Sequence, residues 1–75
     1  MTEQKISKIW KDALKLDDIS DDDDFFALGG HSLIMAEIQA GITKELGVEV
    51  PMDELFRYST IKGITAHLES RAAVS

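Results

Sequence analysis

The amino-acid sequence predicts an all-α domain, a small bundle of three main helices plus one short helix. In three separate segments, apolar residues recur at spacings of three and four, the period of one helix face. At 75 residues, the chain is long enough for one domain with a modest core. It contains no cysteine, so neither a disulfide nor a thiolate-bound metal can stabilise it. We predict one domain over residues 1–75, with its core over about residues 3–69 and a C-terminal tail over residues 70–75.

The first helix is predicted over about residues 3–16. Trp10 lies in the middle of its apolar stripe, and the lysines of the segment fall on the opposite side, where we expect them to be solvated. The stripe contains Ile6, Ile9, Trp10, Ala13 and Leu14, and the lysines are Lys5, Lys8, Lys11 and Lys15.

An acidic segment without helical periodicity, residues 17–28, follows and is predicted to be a long ordered loop. Its aspartates are Asp17, Asp18, Asp21, Asp22, Asp23 and Asp24. No aspartate taken as the first position of an EF-hand is followed by both the required glycine and the required glutamate, so we predict no metal site. We expect the apolar residues of the segment to attach it to the core: Ile19, Phe25, Phe26 and Leu28.

The second helix is predicted to begin at Ser32 or Leu33 and to run to about Leu46, after which Gly47 suits a left-handed C-terminal cap. One stripe of this helix belongs to the core: Met35, Ile38, Ile42 and Leu46. The polar side contains Glu37, Gly41, Lys44 and Glu45. A partly apolar, exposed patch remains near the serine: Leu33, Ile34, Ala36 and Ala40.

Ser32 is the residue at which we expect the function. Gly29 and Gly30 can turn the chain sharply and leave its hydroxyl uncrowded. At the start of a helix, unpaired N–H groups and the positive end of the dipole favour a negatively charged group such as a phosphate. The alternative is that Ser32 only caps the helix, since serine is a preferred cap residue. Met35, rather than Glu or Gln, follows three residues later, so no capping box forms.

The remainder of the chain completes the bundle. Residues 48–51 are predicted to be an extended link, because the proline at its end disfavours a helical conformation of the residue before it. A short helix follows over residues 51–56, and Ser59 or Thr60 caps a last helix. Residues 71–75 are predicted to be a frayed tail. The core residues of the last helix are Ile61, Ile64 and Leu68.

A serine hydrolase is the enzyme that the serine would suggest, and the sequence argues against it. Residues 30–34 read Gly-His-Ser-Leu-Ile, with isoleucine where the nucleophile elbow requires its second glycine. His31 adjoins Ser32, but neighbouring helix residues point about 100° apart, so we expect no hydrogen bond between them. His67 is expected to be an ordinary boundary residue, and two histidines without cysteine make no zinc site. We predict no catalytic residue and no metal ligand.

The formal net charge of −6 limits the classes of partner. Nucleic-acid-binding proteins present basic patches that neutralise phosphates, so we expect no nucleic acid partner. Partners with basic surfaces are favoured instead. The first residues form a charged amphipathic segment, so we predict neither a signal peptide nor a membrane span, and a cytoplasmic location is the default expectation.

A stretch of ten residues, 24–33, carries a resemblance to a known family. It reads Asp-Phe-Phe-Ala-Leu-Gly-Gly-His-Ser-Leu, and is followed by Gly-Val-Glu-Val-Pro at 47–51, Leu-Phe at 55–56 and Thr-Ile at 60–61. Together these motifs resemble the peptidyl carrier, or thiolation, domains of nonribosomal peptide synthetases over about residues 6–68. One departure is Ser59, where many carriers have proline, and we expect it to affect the start of the last helix rather than the chemistry.

The resemblance implies an acyl-carrier-like fold and a covalent cofactor. Ser32 would carry phosphopantetheine, transferred from coenzyme A by a phosphopantetheinyl transferase, with Gly29, Gly30 and His31 as flanking residues of the motif. The thiol of this arm would hold an aminoacyl or peptidyl group as a thioester. Partners contact carrier domains mainly along the second helix, so the implied docking residues are Leu33, Ala36, Glu37 and Ala40.

The implied function is that of a non-catalytic peptidyl carrier protein, which is a substrate of its partner enzymes. These partners are an adenylation enzyme that loads the amino acid, and condensation, thioesterase or tailoring enzymes that receive it. His31 favours a peptidyl carrier over the fatty-acid type, which usually has aspartate at this place. We expect a monomer, and Met1 favours a free-standing carrier over a segment of a larger synthetase, with both still open.

Two further hypotheses stay open. The chain could be an acyl carrier for polyketide or fatty-acid synthesis, which loading by amino-acid and acyl partner enzymes distinguishes. It could also be an unmodified acidic helical adaptor that binds basic partners through residues 17–24, in which case Ser32 has no role.

Overall fold

Four helices account for the fold in the computed structural model, which describes residues 2–74 of the backbone and residues 2–70 with their side chains. They are α1 (Thr2–Leu14), α2 (Ser32–Leu46), α3 (Met52–Arg57) and α4 (Ile61–Val74). Within residues 2–74 there is no strand. The prediction of an all-α bundle with three main helices and one short helix is confirmed. None of the helices in the described part of the chain is long and apolar enough to cross a lipid bilayer.

The core is built around α2, which packs against α1 and α3, while α1 also packs against α4. Met35, Ile38 and Ile42 of the predicted α2 stripe have no exposed surface, and Leu46 is partly buried. The remaining core residues come from the other helices and from the loops: Ile6, Trp10, Ile19, Phe25, Val50, Leu55, Ile61, Ile64 and Leu68. Trp10 and Phe25 meet edge to face, with ring centroids 5.6 Å apart, so the long loop contributes an aromatic ring to the centre of the bundle.

The C-terminus of α1 differs from the prediction, because the helix ends at Leu14 rather than near residue 16. Lys15 adopts a left-handed conformation with φ of 58°, and the Leu16 N–H donates a 3.0 Å hydrogen bond to the Lys11 carbonyl. This six-to-one hydrogen bond belongs to the Schellman motif, in which glycine usually occupies the left-handed position. Because a lysine occupies this position, the sequence contains no glycine that would indicate the end of α1.

The C-terminus of α2 follows the prediction. Gly47 has φ of 67°, and its N–H donates a 2.9 Å hydrogen bond to the Thr43 carbonyl. Side chains of α2 bind the extended link that follows. Gln39 Nε2 donates to the Val50 carbonyl at 2.7 Å, and Thr43 Oγ1 lies 3.2 Å from the Val48 carbonyl and 3.1 Å from the Gln39 carbonyl, so its one proton is shared between the two.

The last helix also begins as predicted, with Thr60 as its cap, and it extends further than predicted. Thr60 Oγ1 accepts a 2.9 Å hydrogen bond from the Gly63 N–H, which satisfies one of the free amides of the first turn. The α4 backbone is helical to Val74, so residues 70–74 continue the helix instead of forming the predicted tail. Ser75 lies outside the described residues.

Two residues of α2 face a different environment from the one predicted. The helical pattern predicts Gly41 on the polar side, but it packs against Ile9 of α1, and a Cβ at this position would lie 2.9 Å from Ile9 Cγ2. Ile34 was assigned to the exposed patch, but it is half-buried against the core. The cause at Gly41 is the close approach of α1 and α2, which leaves room for no side chain there. Ile34 extends the buried face of α2 by packing against the core.

We predict that Gly41→Val lowers the free energy of unfolding by about 1–3 kcal/mol, because the added side chain overlaps Ile9 and overpacks the helix contact. Ala40→Val is the matched control, since it places the same β-branched residue at the neighbouring exposed position and should cost less than about 1 kcal/mol. Urea-induced unfolding of both variants measures the difference. Equal losses would contradict a close helix contact at Gly41.

Candidate functional site

The chain before α2 forms a hydrogen-bonded turn, residues 24–30, which we call the site turn. Asp24 Oδ2 accepts hydrogen bonds from the Phe26 N–H at 3.0 Å and from the Ala27 N–H at 3.2 Å. The Gly29 N–H donates to the Phe26 carbonyl at 3.1 Å, and the Gly30 N–H donates to the Phe25 carbonyl at 3.0 Å. Asp24 therefore acts on this turn as a capping carboxylate acts on the first turn of a helix.

The two glycines of the site turn are needed for different reasons. Gly29 has φ of 88°, a conformation that residues with a side chain rarely adopt, and it has open space around its Cα. Gly30 lies against the ring of Phe25, and any Cβ there would overlap that ring. Because Phe25 is fully buried, its ring cannot move aside. The glycine pair thus sets both the direction of the turn and its distance from the core.

Ser59 ties the site turn to the connection between α3 and α4. Its hydroxyl donates a 2.7 Å hydrogen bond to Asp24 Oδ1, and its carbonyl accepts a 2.7 Å hydrogen bond from the Phe25 N–H. We expected Ser59 to affect the start of the last helix rather than the chemistry, and the structure adds a second contact that this expectation did not include. Ser59 is bonded to the site turn through both its side chain and its main chain. The hydrogen bond from Ser59, followed by those from the Ala27 and Phe26 amides, lowers the pKa of Asp24 below its ordinary value.

Ser32 is the first residue of α2, and His31 is its N-cap residue. His31 has an extended backbone, makes no side-chain capping hydrogen bond, and accepts the first helical hydrogen bond from the Met35 N–H at 2.9 Å. Ser32 is exposed, and its hydroxyl has no hydrogen-bond partner within residues 2–70. The hypothesis that Ser32 merely caps the helix is wrong, since it occupies the position after the cap and its side chain caps nothing.

The environment of Ser32 suits a phosphate group. The first turn of α2 contains no acidic residue, so the helix itself places no carboxylate beside an added negative charge. The amides of this turn have no helical acceptor, and with the helix dipole they favour an anion. The sequence prediction for Ser32, Gly29, Gly30 and His31 as a phosphopantetheine site is compatible with this geometry and stays a prediction at the level of single residues.

Neither histidine forms a catalytic pair with the serine. His31 is exposed and makes no hydrogen bond with Ser32 among the described residues. His67 lies 2.6 Å through Nε2 from Glu54 Oε1 and stacks on Tyr58 with a centroid distance of 4.3 Å. It thereby joins α3 to α4, a structural contact that sequence analysis missed because the two elements have no local signal that pairs them. In residues 2–70 we find no group of three potential metal ligands poised around one point.

An exposed face of α2 begins next to Ser32. Leu33 is 71% exposed, and the other predicted docking residues, Ala36, Glu37 and Ala40, are exposed as well. We call these four residues the α2 face. Their position agrees with the prediction, while their role in docking stays a prediction.

Phe26 corrects the expectation that all apolar loop residues are buried. It is 51% exposed and stacks on the half-buried Phe56 of α3, with ring centroids 5.7 Å apart. Adjacent residues of a turn point in different directions, so only Phe25 of the pair can enter the core. The sequence signal that could have identified this surface is the Phe-Phe pair itself, in which one ring has to lie outside.

Some aspartates of the long loop make hydrogen bonds within the fold, and the others make none among the described residues. Asp24 caps the site turn, Asp23 Oδ2 accepts a 3.0 Å hydrogen bond from the Ser20 N–H, and the Asp21 carbonyl accepts one from the Lys62 N–H. The carboxylate of Asp21 lies near Glu3 and raises the pKa of Glu3. Part of the acidic run therefore builds the loop, which weakens the hypothesis of an adaptor that binds through all of it.

A family model described as "Phosphopantetheine attachment site" matches residues 4–68 of this chain. The matched range includes the site turn, Ser32, α3 and most of α4.

The chain is similar to segments of long synthase subunits. It is 44% identical over 69 residues to bacitracin synthase 3 of Bacillus licheniformis, an alignment that covers 92% of this chain and 1% of that protein. It is 46% identical over 68 residues to surfactin synthase subunit 3 of Bacillus subtilis (strain 168), covering 91% of this chain and 5% of that protein. The chain therefore spans only a small part of the length of the curated relatives it matches.

Solved structures share the fold. The solution structure of an active-site mutant peptidyl carrier protein matches with a TM-score of 0.86 and 34% identity, over 93% of this chain and 78% of that one. A chain in the structure of the phosphopantetheine transferase Sfp in complex with coenzyme A and a peptidyl carrier protein matches with a TM-score of 0.88 and 33% identity, over 93% of this chain and 91% of that one. A chain in the structure of McyG A-PCP complexed with phenylalanyl-adenylate matches with a TM-score of 0.85 and 28% identity, over 89% of this chain and 10% of that one.

We predict that Asp24→Asn lowers the free energy of unfolding near neutral pH and that its difference from the wild type shrinks in acid. Because the folded-state pKa of Asp24 lies below the ordinary 3.8, its ionised form stabilises the fold above that pH. This stabilisation is lost as the pH falls through the lowered pKa, where the wild-type carboxylate is protonated too. Urea-induced unfolding at a series of pH values measures the effect.

Asp22→Asn is the matched control for charge, because Asp22 is exposed and makes no hydrogen bond among the described residues. Its unfolding curves should stay close to those of the wild type. A loss for Asp22→Asn as large as that for Asp24→Asn would mean that net charge, rather than the hydrogen bonds of Asp24, determines the stability.

Proposed function

We propose that Ser32 is the residue that carries phosphopantetheine in this chain, which belongs to the phosphopantetheine-attachment family and is a peptidyl carrier domain. The cofactor is esterified to the Ser32 hydroxyl. One observation carries the assignment to Ser32: it is an exposed serine at a helix start, with no hydrogen-bond partner for its hydroxyl among the described residues. Such a hydroxyl loses no internal contact when it becomes an ester oxygen. The first-turn amides of α2 favour the phosphate charge that this modification adds.

In the proposed modification, Ser32 Oγ forms a bond to the phosphorus that joins phosphopantetheine to the nucleotide part of coenzyme A. The bond from that phosphorus to the nucleotide breaks, and the nucleotide leaves with the bonding electrons. The hydroxyl proton needs an acceptor, and His31 makes no hydrogen bond with Ser32 among the described residues. We therefore assign the proton acceptor to the transferase or to solvent and not to this chain.

The attached arm supplies a thiol, a group that this chain lacks because it contains no cysteine. We propose that the thiol holds an aminoacyl or peptidyl group as a thioester. The chain is then a substrate of its partners rather than an enzyme: an adenylation enzyme loads it, and condensation, thioesterase or tailoring enzymes unload or modify the cargo. Tethering keeps the cargo at a high effective concentration in each partner's active site.

We assign partner docking to the α2 face. Leu33 is the most exposed large apolar residue of the described chain and directly follows Ser32. Ala36 and Ala40 are small, so a partner backbone can approach the helix closely there. Glu37 lies on the same face and offers a carboxylate to partners with basic surfaces, as the net charge of −6 also favours.

We predict that incubation with coenzyme A and a phosphopantetheinyl transferase of broad specificity adds one phosphopantetheine to the wild type and none to Ser32→Ala. Intact-mass spectrometry measures this gain. Ser70→Ala, which removes an exposed serine of α4, is the control and should be modified like the wild type. A gain by Ser32→Ala would refute the site, and no gain by the wild type would favour the unmodified acidic adaptor.

Leu33→Ala should lower kcat/KM for transfer of phosphopantetheine by about tenfold without changing the unfolding temperature, because it removes an exposed apolar contact at the edge of the reacting group. Lys44→Ala, an exposed position near the other end of α2, should stay within about twofold of the wild type. Steady-state kinetics with the same transferase provide the comparison. Equal rates for Leu33→Ala and the wild type would remove Leu33 from the docking surface.

A further inference from the structure

We propose that Asp24 and Ser59 form a positioning pair for Ser32, in which a hydrogen bond from the α3–α4 connection fixes the site turn in the geometry that the transferase requires. This inference rests on the proposed attachment of phosphopantetheine to Ser32. It concerns residues outside the α2 face, and it gives Ser59 a role in the rate of modification.

The two carboxylate oxygens of Asp24 accept hydrogen bonds from different parts of the fold. Oδ1 accepts the Ser59 hydroxyl at 2.7 Å, across 35 positions of sequence and in a half-buried setting. Oδ2 accepts the amides of Phe26 and Ala27 at 3.0 and 3.2 Å. Ser59 therefore orients the carboxylate that in turn caps the site turn. Without the Ser59 hydroxyl, the carboxylate is held through Oδ2 alone and has more freedom to rotate, so we expect it to hold the turn amides less well.

A continuous set of contacts leads from this pair to Ser32. The Phe25 N–H is bonded to the Ser59 carbonyl, and the buried Phe25 ring lies against Gly30. Gly30 also donates its N–H to the Phe25 carbonyl and is separated from Ser32 by His31 alone. The site turn thus leads directly to His31, the N-cap residue of α2, and its position affects where the Ser32 hydroxyl lies.

The side chain and the main chain of Ser59 make separate hydrogen bonds to the site turn. The hydrogen bond from the Phe25 N–H to the Ser59 carbonyl is available to any residue at this position, including proline. The hydrogen bond to Asp24 Oδ1 comes from the side-chain hydroxyl, which alanine and proline lack and threonine keeps. Ser59→Ala therefore removes the hydrogen bond to Asp24 and leaves the hydrogen bond from the Phe25 N–H in place.

A positioning role predicts a specific kinetic signature. The α2 face is unchanged in Ser59→Ala, so binding of the carrier to the transferase and hence KM should stay within about twofold. A site turn with more freedom presents Ser32 in the reactive geometry for less of the time, so kcat should fall by about threefold to tenfold. Ser59→Thr keeps the hydroxyl and should restore kcat.

The experiment measures kcat and KM for transfer of phosphopantetheine from coenzyme A to the full chain, well below the unfolding temperature of every variant. The variants are Ser59→Ala, Ser59→Thr and Asp24→Asn, with Asp22→Asn as the charge control. We expect lower kcat for Ser59→Ala and Asp24→Asn only. In parallel, hydrogen exchange of the Phe26 and Ala27 amides should be faster in Ser59→Ala, because their acceptor is no longer oriented.

Three results would overturn the inference. Wild-type kcat and KM in Ser59→Ala would show that the hydroxyl has no positioning role. A reduced kcat in Asp22→Asn as large as that in Asp24→Asn would assign the effect to charge. A low kcat that Ser59→Thr does not restore would assign it to packing. Failure of the proposed function is distinguishable from these, because the wild type itself would then gain no phosphopantetheine.

Discussion

Burial of the Phe25 ring is the constraint on which the site depends. The ring meets Trp10 in the core and lies against Gly30. The main-chain N–H of Phe25 donates a hydrogen bond to the Ser59 carbonyl. The long loop contains six aspartates, and Ile19 and Phe25 are its buried apolar residues. Of these two, Phe25 is the residue that lies next to the start of α2, so its burial fixes the part of the loop that leads to Ser32.

Sequence patterns predicted those parts of the fold that depend on residues close together in the chain. The apolar stripe of α2 and its end at Gly47 follow from periodicity and from the need for a left-handed residue, and both are confirmed. Ser32 at the start of α2 followed from the same local reasoning. These features depend on local geometry, which a single sequence records well.

The features that sequence analysis missed depend on contacts between distant segments or on unusual residue choices. The helical period places Gly41 on the polar side of α2, and its role in packing follows from the approach of Ile9 on another helix. Ser59 gives no sign in the sequence that its partner is Asp24, 35 positions away. Lys15 ends α1 in a conformation that is rare for lysine, so no glycine marked the helix end.

The long sequence separation between Asp24 and Ser59 also bears on the order of events during folding. Contacts between distant segments form only after the intervening chain has been brought together, and loop closure makes them late and entropically costly. The two hydrogen bonds between Ser59 and the site turn can therefore form only when the α3–α4 connection has reached that turn. If the transferase requires this turn, as proposed above, it would discriminate between finished and unfinished chains and attach the arm only to a folded carrier.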